Sequence, residues 1–87
     1  GGTVVREIST QQITAFCLAF SPDGKRLAGA GYADPGSLRI WDVATGRLDQ
    51  VLRGPSTETS VLAFSPDGTI LATGSTDRKI RLWDVSP

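Results

Sequence analysis

Three short signatures occur twice in this chain, in the same order and close to the same register. Phe20-Ser21-Pro22-Asp23-Gly24 returns as Phe64-Ser65-Pro66-Asp67-Gly68, Leu27-Ala28 as Leu71-Ala72, and Trp41-Asp42 as Trp83-Asp84. The offset is 44 residues from Pro22 to Pro66 and 42 from Trp41 to Trp83, the difference lying in a longer loop around Pro35. A chain of 87 residues that spends most of its length on two copies of one unit must fold as two similar, adjacent modules.

The unit itself reads as short strands joined by tight turns. In Ser-Pro-Asp-Gly, proline presets φ at the second turn position, aspartate bonds its own backbone and glycine accepts φ > 0. Ile70 to Ser75 resumes as a strand of small and apolar residues, and Thr76-Asp77-Arg78-Lys79 makes the next turn. From Ile80 the chain alternates, with Ile80 and Leu82 on one face and Arg81 and Trp83 on the other. No window carries an i, i+3, i+4, i+7 apolar stripe, which argues against helix. Read from the start, strands are expected over 3–8, 13–21, 26–32, 38–43, 47–52, 61–65, 70–75 and 80–85.

Composition narrows the function classes. Nine basic residues balance nine acidic ones, so bulk charge favours neither nucleic acid nor an anionic membrane as a partner. No apolar run approaches the ~18 residues of a membrane span, and no basic-plus-apolar leader opens the chain, so a cytoplasmic location is expected. A single cysteine excludes an internal disulfide. The absence of methionine and the Gly1-Gly2 start suggest a piece cut from a longer protein.

The period of ~40–45 residues with four strands and a terminal Trp-Asp resembles the WD-repeat β-propeller family. The resemblance covers nearly the whole chain. It implies an all-β fold of two four-stranded antiparallel propeller blades, closing into a β-propeller by oligomerisation. In that family the sequence repeat begins with the outermost strand of the preceding blade. Carried over, 13–52 is a complete blade and 61–85 supplies the three inner strands of a second. Residues 3–8, with Val4, Val5 and Ile8, form an outer strand lacking a blade of its own, which can complete the second blade of a neighbouring copy. Trp41, Asp42, Trp83, Asp84, Asp77, Pro22, Gly24, Pro66 and Gly68 take structural roles. Two blades per chain give an even total, so within the ~4–8 blades of propellers a tetramer with eight is favoured and a trimer with six comes next.

The resemblance also implies a polar network of His, Ser or Thr, Asp and Trp in each blade. The second copy keeps Thr73, Ser75, Asp77 and Trp83 but has Pro55 where His is expected. The first keeps Trp41 and Asp34, with Gln11 in the His place and Gly29 and Gly31 replacing the hydroxyls. With no histidine in the chain, both networks are incomplete, and blades that depend on assembly are expected.

Catalytic chemistry has little footing. Without histidine, a Ser-His or Cys-His nucleophile pair cannot form within the chain. Asp23, Asp67, Asp42 and Asp84 are explained by turns or strand ends. Cys17 aligns with Val61 and reads as a packed, inert thiol. Zinc lacks both His and clustered Cys, and no cofactor is expected. Gly29-Ala30-Gly31-Tyr32-Ala33-Asp34 lacks a third glycine and precedes a strand, so its glycines read as aids to close packing rather than a phosphate loop. Arg78, Lys79, Arg81 and Arg39 read as a solvated turn and strand edge.

The longer loop Tyr32-Ala33-Asp34-Pro35-Gly36 is the best candidate for something specific. It is expected on one rim with Gln11, Gln12, Ser56, Thr57, Glu58, Thr76 and Arg78. The expected partner-binding residues are Gln11, Gln12, Tyr32, Asp34, Glu58, Thr76 and Arg78, and the expected function is a non-catalytic interaction module for an unidentified protein or peptide. The alternative is a C-terminal sensor segment of a larger multidomain protein, such as a bacterial signalling kinase or ATPase.

Overall fold

The computed structural model describes residues 2–8, 15–31, 37–54 and 59–86. Among these the chain forms β1 (Ala15–Phe20), β2 (Arg26–Gly31), β3 (Ser37–Asp42), β4 (Leu48–Arg53), β5 (Thr59–Phe64), β6 (Ile70–Ser75) and β7 (Ile80–Asp84). They build two antiparallel sheets, β1-β2-β3-β4 and β5-β6-β7. β5 begins two residues earlier than its apolar run suggests, and β4 is displaced one residue toward its C-terminus. The leading segment 2–8 joins no ladder with any described strand, and Val4 and Val5 are exposed. It runs past the turn after β3, where a Cβ on Gly46 would lie 3.5 Å from Arg6 Nη1 and 3.8 Å from Ile8 Cγ1.

The two Ser-Pro-Asp-Gly turns are near copies. Gly24 N–H donates to the Ser21 carbonyl at 2.9 Å, and Gly68 to the Ser65 carbonyl at 2.9 Å. Both glycines are left-handed, at φ 73° and 76°, which closes the turn without splaying the strands. The serines have a part that composition did not announce. Ser21 Oγ donates to Asp23 Oδ1 at 2.6 Å and accepts from Arg26 N–H at 3.0 Å, and Ser65 Oγ does the same with Asp67 and Ile70, at 2.6 and 3.1 Å. The Trp-Asp aspartates also cap turns. Asp42 Oδ1 accepts Ala44 N–H at 2.9 Å and Asp84 Oδ1 accepts Ser86 N–H at 3.0 Å.

Alternation then decides the core. Cys17, Ala28, Ala30, Leu38 and Ile40 share one face of the first sheet, because Ala28 pairs with Ile40, and Ala30 with both Leu38 and Cys17. That face meets Leu62, Phe64, Leu71, Trp83 and Val85 of the second module. Alanines at 28 and 30 let the sheets close, and each large side chain buried there contributes on the order of 1.5–3 kcal/mol. Arg26 fastens the two sheets at the turn end. Its guanidinium donates to the carbonyls of Val85 and of Gly68, the latter at 2.6 Å, and its Cζ lies 5.6 Å from the Phe64 ring centroid.

A strand glycine is required where Trp41 packs. A Cβ on Gly29 would lie 2.8 Å from the Trp41 ring and 3.0 Å from Leu18 Cδ2, so the indole covers the bare backbone where the second sheet has Thr73.

The turn carboxylates give the fold an acid dependence. Ser65, then the Thr69 backbone and hydroxyl, donate to Asp67 and hold its carboxyl at about 2, below the ordinary 3.8. A depressed folded value means a stabilising contribution that is complete above about pH 4 and lost as pH falls through about 2. Asp67→Asn is therefore expected to melt below the unaltered chain at pH 7, with the gap narrowing between about pH 4 and pH 2. A gap independent of pH in a melting series would contradict this role.

Candidate functional site

The β6–β7 turn is the described part of the expected binding rim. Its geometry repeats the glycine turns, with Arg78 in the glycine place. Arg78 N–H donates to the Ser75 carbonyl at 3.1 Å, Ser75 N–H to the Lys79 carbonyl at 3.2 Å, and Asp77 Oδ1 accepts Lys79 N–H at 3.1 Å. Arg78 is left-handed at φ 69°, the one non-glycine with positive φ among the described residues. Thr76, Arg78 and Lys79 are exposed. Gln11, Gln12, Tyr32, Asp34 and Glu58, with Ser56, Thr57 and the loop around Pro35, lie outside the described residues, as does Pro55.

A polar ladder on the inward face of the second sheet braces this turn from below. Trp83 Nε1 donates to Thr73 Oγ1 at 3.1 Å. Arg81, half-buried beside it, donates to Asp77 Oδ2 at 2.6 Å and to Ser75 Oγ at 3.3 Å. The Arg81 hydrogen bond holds the Asp77 carboxyl below the usual carboxylate range, and Asp77 in turn pushes the Arg81 guanidinium up. Arg81 is thus not part of a solvated basic cluster. Within the second sheet it draws Ser75 and Asp77 together through a cation. Its register opposite Thr73 and its alternation with Trp83 were the signals that could have identified it. With Asp77 paired to Arg81, Arg78 and Lys79 leave the β6–β7 turn, the described part of the rim, positively charged.

The remaining reactive groups are committed to structure. Cys17 Sγ donates to the Thr59 carbonyl at 3.6 Å across the two sheets, and burial pushes its thiol up, away from the reactive thiolate. Trp41 is buried and Trp83 half-buried, while Pro22, Gly24 and Pro66 are exposed in their turns and Gly68 is buried. Among the described residues no three His, Cys, Asp or Glu groups lie together as metal ligands, and no helix is long and apolar enough to cross a membrane.

Two stacked antiparallel sheets of this order, the third strand of each ending in Trp-Asp, define a pair of propeller blades. The family description "WD domain, G-beta repeat" matches residues 2–42 and 46–84. The chain belongs to the WD-repeat family. It is 39% identical over 75 residues to a Periodic tryptophan protein 2 homolog of Neurospora crassa, covering 86% of this chain and 8% of that protein. It is 36% identical over 85 residues to Mitochondrial division protein 1 of Pyricularia oryzae, covering 98% and 12%. Among solved structures, the Myceliophteria thermophila Cps50 (Swd1) β-propeller domain superposes with a TM-score of 0.80 at 27% identity, over 91% of this chain and 26% of that one. The RRP9 WD40 repeats superpose with a TM-score of 0.79 at 30% identity, over 91% and 25%. The chain therefore spans about a tenth of the curated relatives and about a quarter of the solved propellers.

A side chain in the left-handed region costs on the order of 1 kcal/mol relative to glycine. Arg78→Gly is expected to raise unfolding stability by about 1 kcal/mol in a denaturant titration. An unchanged or lowered stability would contradict the strain assigned to this turn.

Proposed function

We propose that this chain is a non-catalytic interaction scaffold that assembles with further copies of itself into a larger propeller and presents one rim to a protein or peptide. The observation that carries the reading is the mismatch between the sheets. Among the described residues the first has four strands and the second three, which leaves β7 as an edge, while the leading segment pairs with none of them. An uncovered strand edge is a liability that a donated strand removes. Residues 3–8 of one copy, through Val4, Val5 and Ile8, supply the fourth strand to β7 of the next. Family membership supports the scaffold reading, because repeat folds offer rigid, extended binding surfaces.

The binding rim consists of Gln11, Gln12, Tyr32, Asp34, Glu58, Thr76 and Arg78. The strain stored at exposed Arg78 supports its membership, since a residue kept in a costly conformation on a surface has a use for its side chain. The site of action is cytoplasmic, and the partner is neither nucleic acid nor membrane. A second reading is that the two blades are a C-terminal sensor segment of a larger multidomain protein, such as a bacterial signalling kinase or ATPase. The small share of the relatives that the chain spans favours it.

Light scattering decides the assembly. A particle of four times the 9.2 kDa chain mass, or three times, is expected, and removal of residues 3–8 is expected to abolish it. A folded particle of one chain mass, or a deletion variant that keeps the assembled mass, contradicts the reading.

A further inference from the structure

We propose that copies of this chain dock head to tail by repeating, between molecules, the interface that already joins the two sheets within one molecule. This rests on the self-assembly reading above and adds which faces meet, in what register, and why the outer contact is the weaker one.

The duplication allows each face to be compared with its own counterpart. Inside the molecule, one face of the first sheet receives the opposite face of the second. Each outward face is the repeat counterpart of an inward one. Leu38 and Ile40 are 1% and 0% exposed, and their counterparts Ile80 and Leu82 are 78% and 71% exposed. Leu62 and Phe64 pack against the core, and their counterparts Leu18 and Phe20 are 57% and 63% exposed. The turns behave alike: a Cβ on Gly68 would lie 3.5 Å from Pro22 of the other sheet, whereas Gly24 has nothing within 4 Å. The second sheet's outward face holds an open groove of about 180 Å³ lined by Val61, Ala63, Ala72, Gly74 and Ile80 among others. It is the counterpart of the Cys17, Ala28, Ala30 and Leu38 surface. Of the residues that fill that surface inside, Leu62 and Phe64 have Leu18 and Phe20 as exposed counterparts on the far side of the molecule, whereas Trp41, the counterpart of Trp83, is already buried within its own module. The chain thus displays, on opposite sides, both halves of an interface it already forms internally. Such a contact is heterologous and closes as a ring or propagates. The occupant of each face is a second copy of this chain.

One contact does not repeat. Arg26, which binds the Val85 and Gly68 carbonyls, has Ile70 as its counterpart. In the outer contact Ile70 faces Phe20 and the carbonyls of Gly24 and Val43 without a charged donor. The outer contact therefore dissociates on dilution while the inner one holds.

The test uses the full chain in native mass spectrometry, with folding checked by circular dichroism. Phe20→Glu blocks one face and Leu82→Glu the other. Each alone is expected to run as a folded monomer, and an equimolar mixture as a dimer of twice 9.2 kDa and nothing larger. Ile70→Arg is expected to lower the concentration at which the wild-type assembly dissociates by at least about tenfold, through the two restored charge-assisted hydrogen bonds. It decides the matter should either glutamate variant fail to fold. A wild-type chain that is monomeric throughout removes the self-assembly reading itself. An assembled wild type whose size ignores both glutamates, a mixture that stays monomeric, or Ile70→Arg that weakens assembly removes this inference alone.

Discussion

The structure depends on the packing of one sheet against the other. Ala28, Ala30, Leu38 and Ile40 from one side and Leu71 and Val85 from the other are the buried apolar residues of this core among those described. They form one cluster that draws its side chains from both modules. Arg26 then sets the register of that contact, since a guanidinium bonded to two carbonyls tolerates little sliding. At 87 residues a chain buries only ~60–65% of its extended surface, so a large part of the achievable burial rests on this seam.

The polar arrangements serve the same seam. Trp83 is held to Thr73 and Arg81 to Asp77 on the inward face of the second sheet, fixing β6 and β7 where they meet the first. On the first sheet Trp41 covers Gly29 directly, which suits a position without a hydroxyl. The two copies of the repeat thus reach similar ends by different chemistry. In the second copy Arg81 bonds Asp77 and Ser75, and in the first an indole lies over glycine.

Much of this was legible in the chain itself. The Ser-Pro-Asp-Gly turns declare themselves because each residue has a local reason to be there, and the period-two spacing of β7 alone separates Ile80 and Leu82 from Arg81 and Trp83. What alternation cannot say is which face looks inward, since the wholly apolar pair Ile80 and Leu82 is exposed while Trp83, on the face with Arg81, packs against the core; the answer comes from the neighbouring sheet. The roles of Arg26 and Arg81 were hidden for a related reason. Arg26 acts on residues 42 and 59 positions away and has no repeat at position 70, so neither spacing nor duplication marks it. Arg81 looks like one more surface cation until its register opposite Thr73 is known. The candidate rim was legible only as a place, since family and fold specify the scaffold and not the ligand.

The central claim is that order at the outward face of the second sheet comes from a neighbouring copy, whereas order at the seam is intrinsic to one chain. Native-state hydrogen exchange at two protein concentrations tests this directly, because it reads each strand separately. The account predicts that amide protection in β7 rises steeply with concentration while that in β2 stays constant. Protection in β7 that matches β2 and does not change on dilution would contradict it.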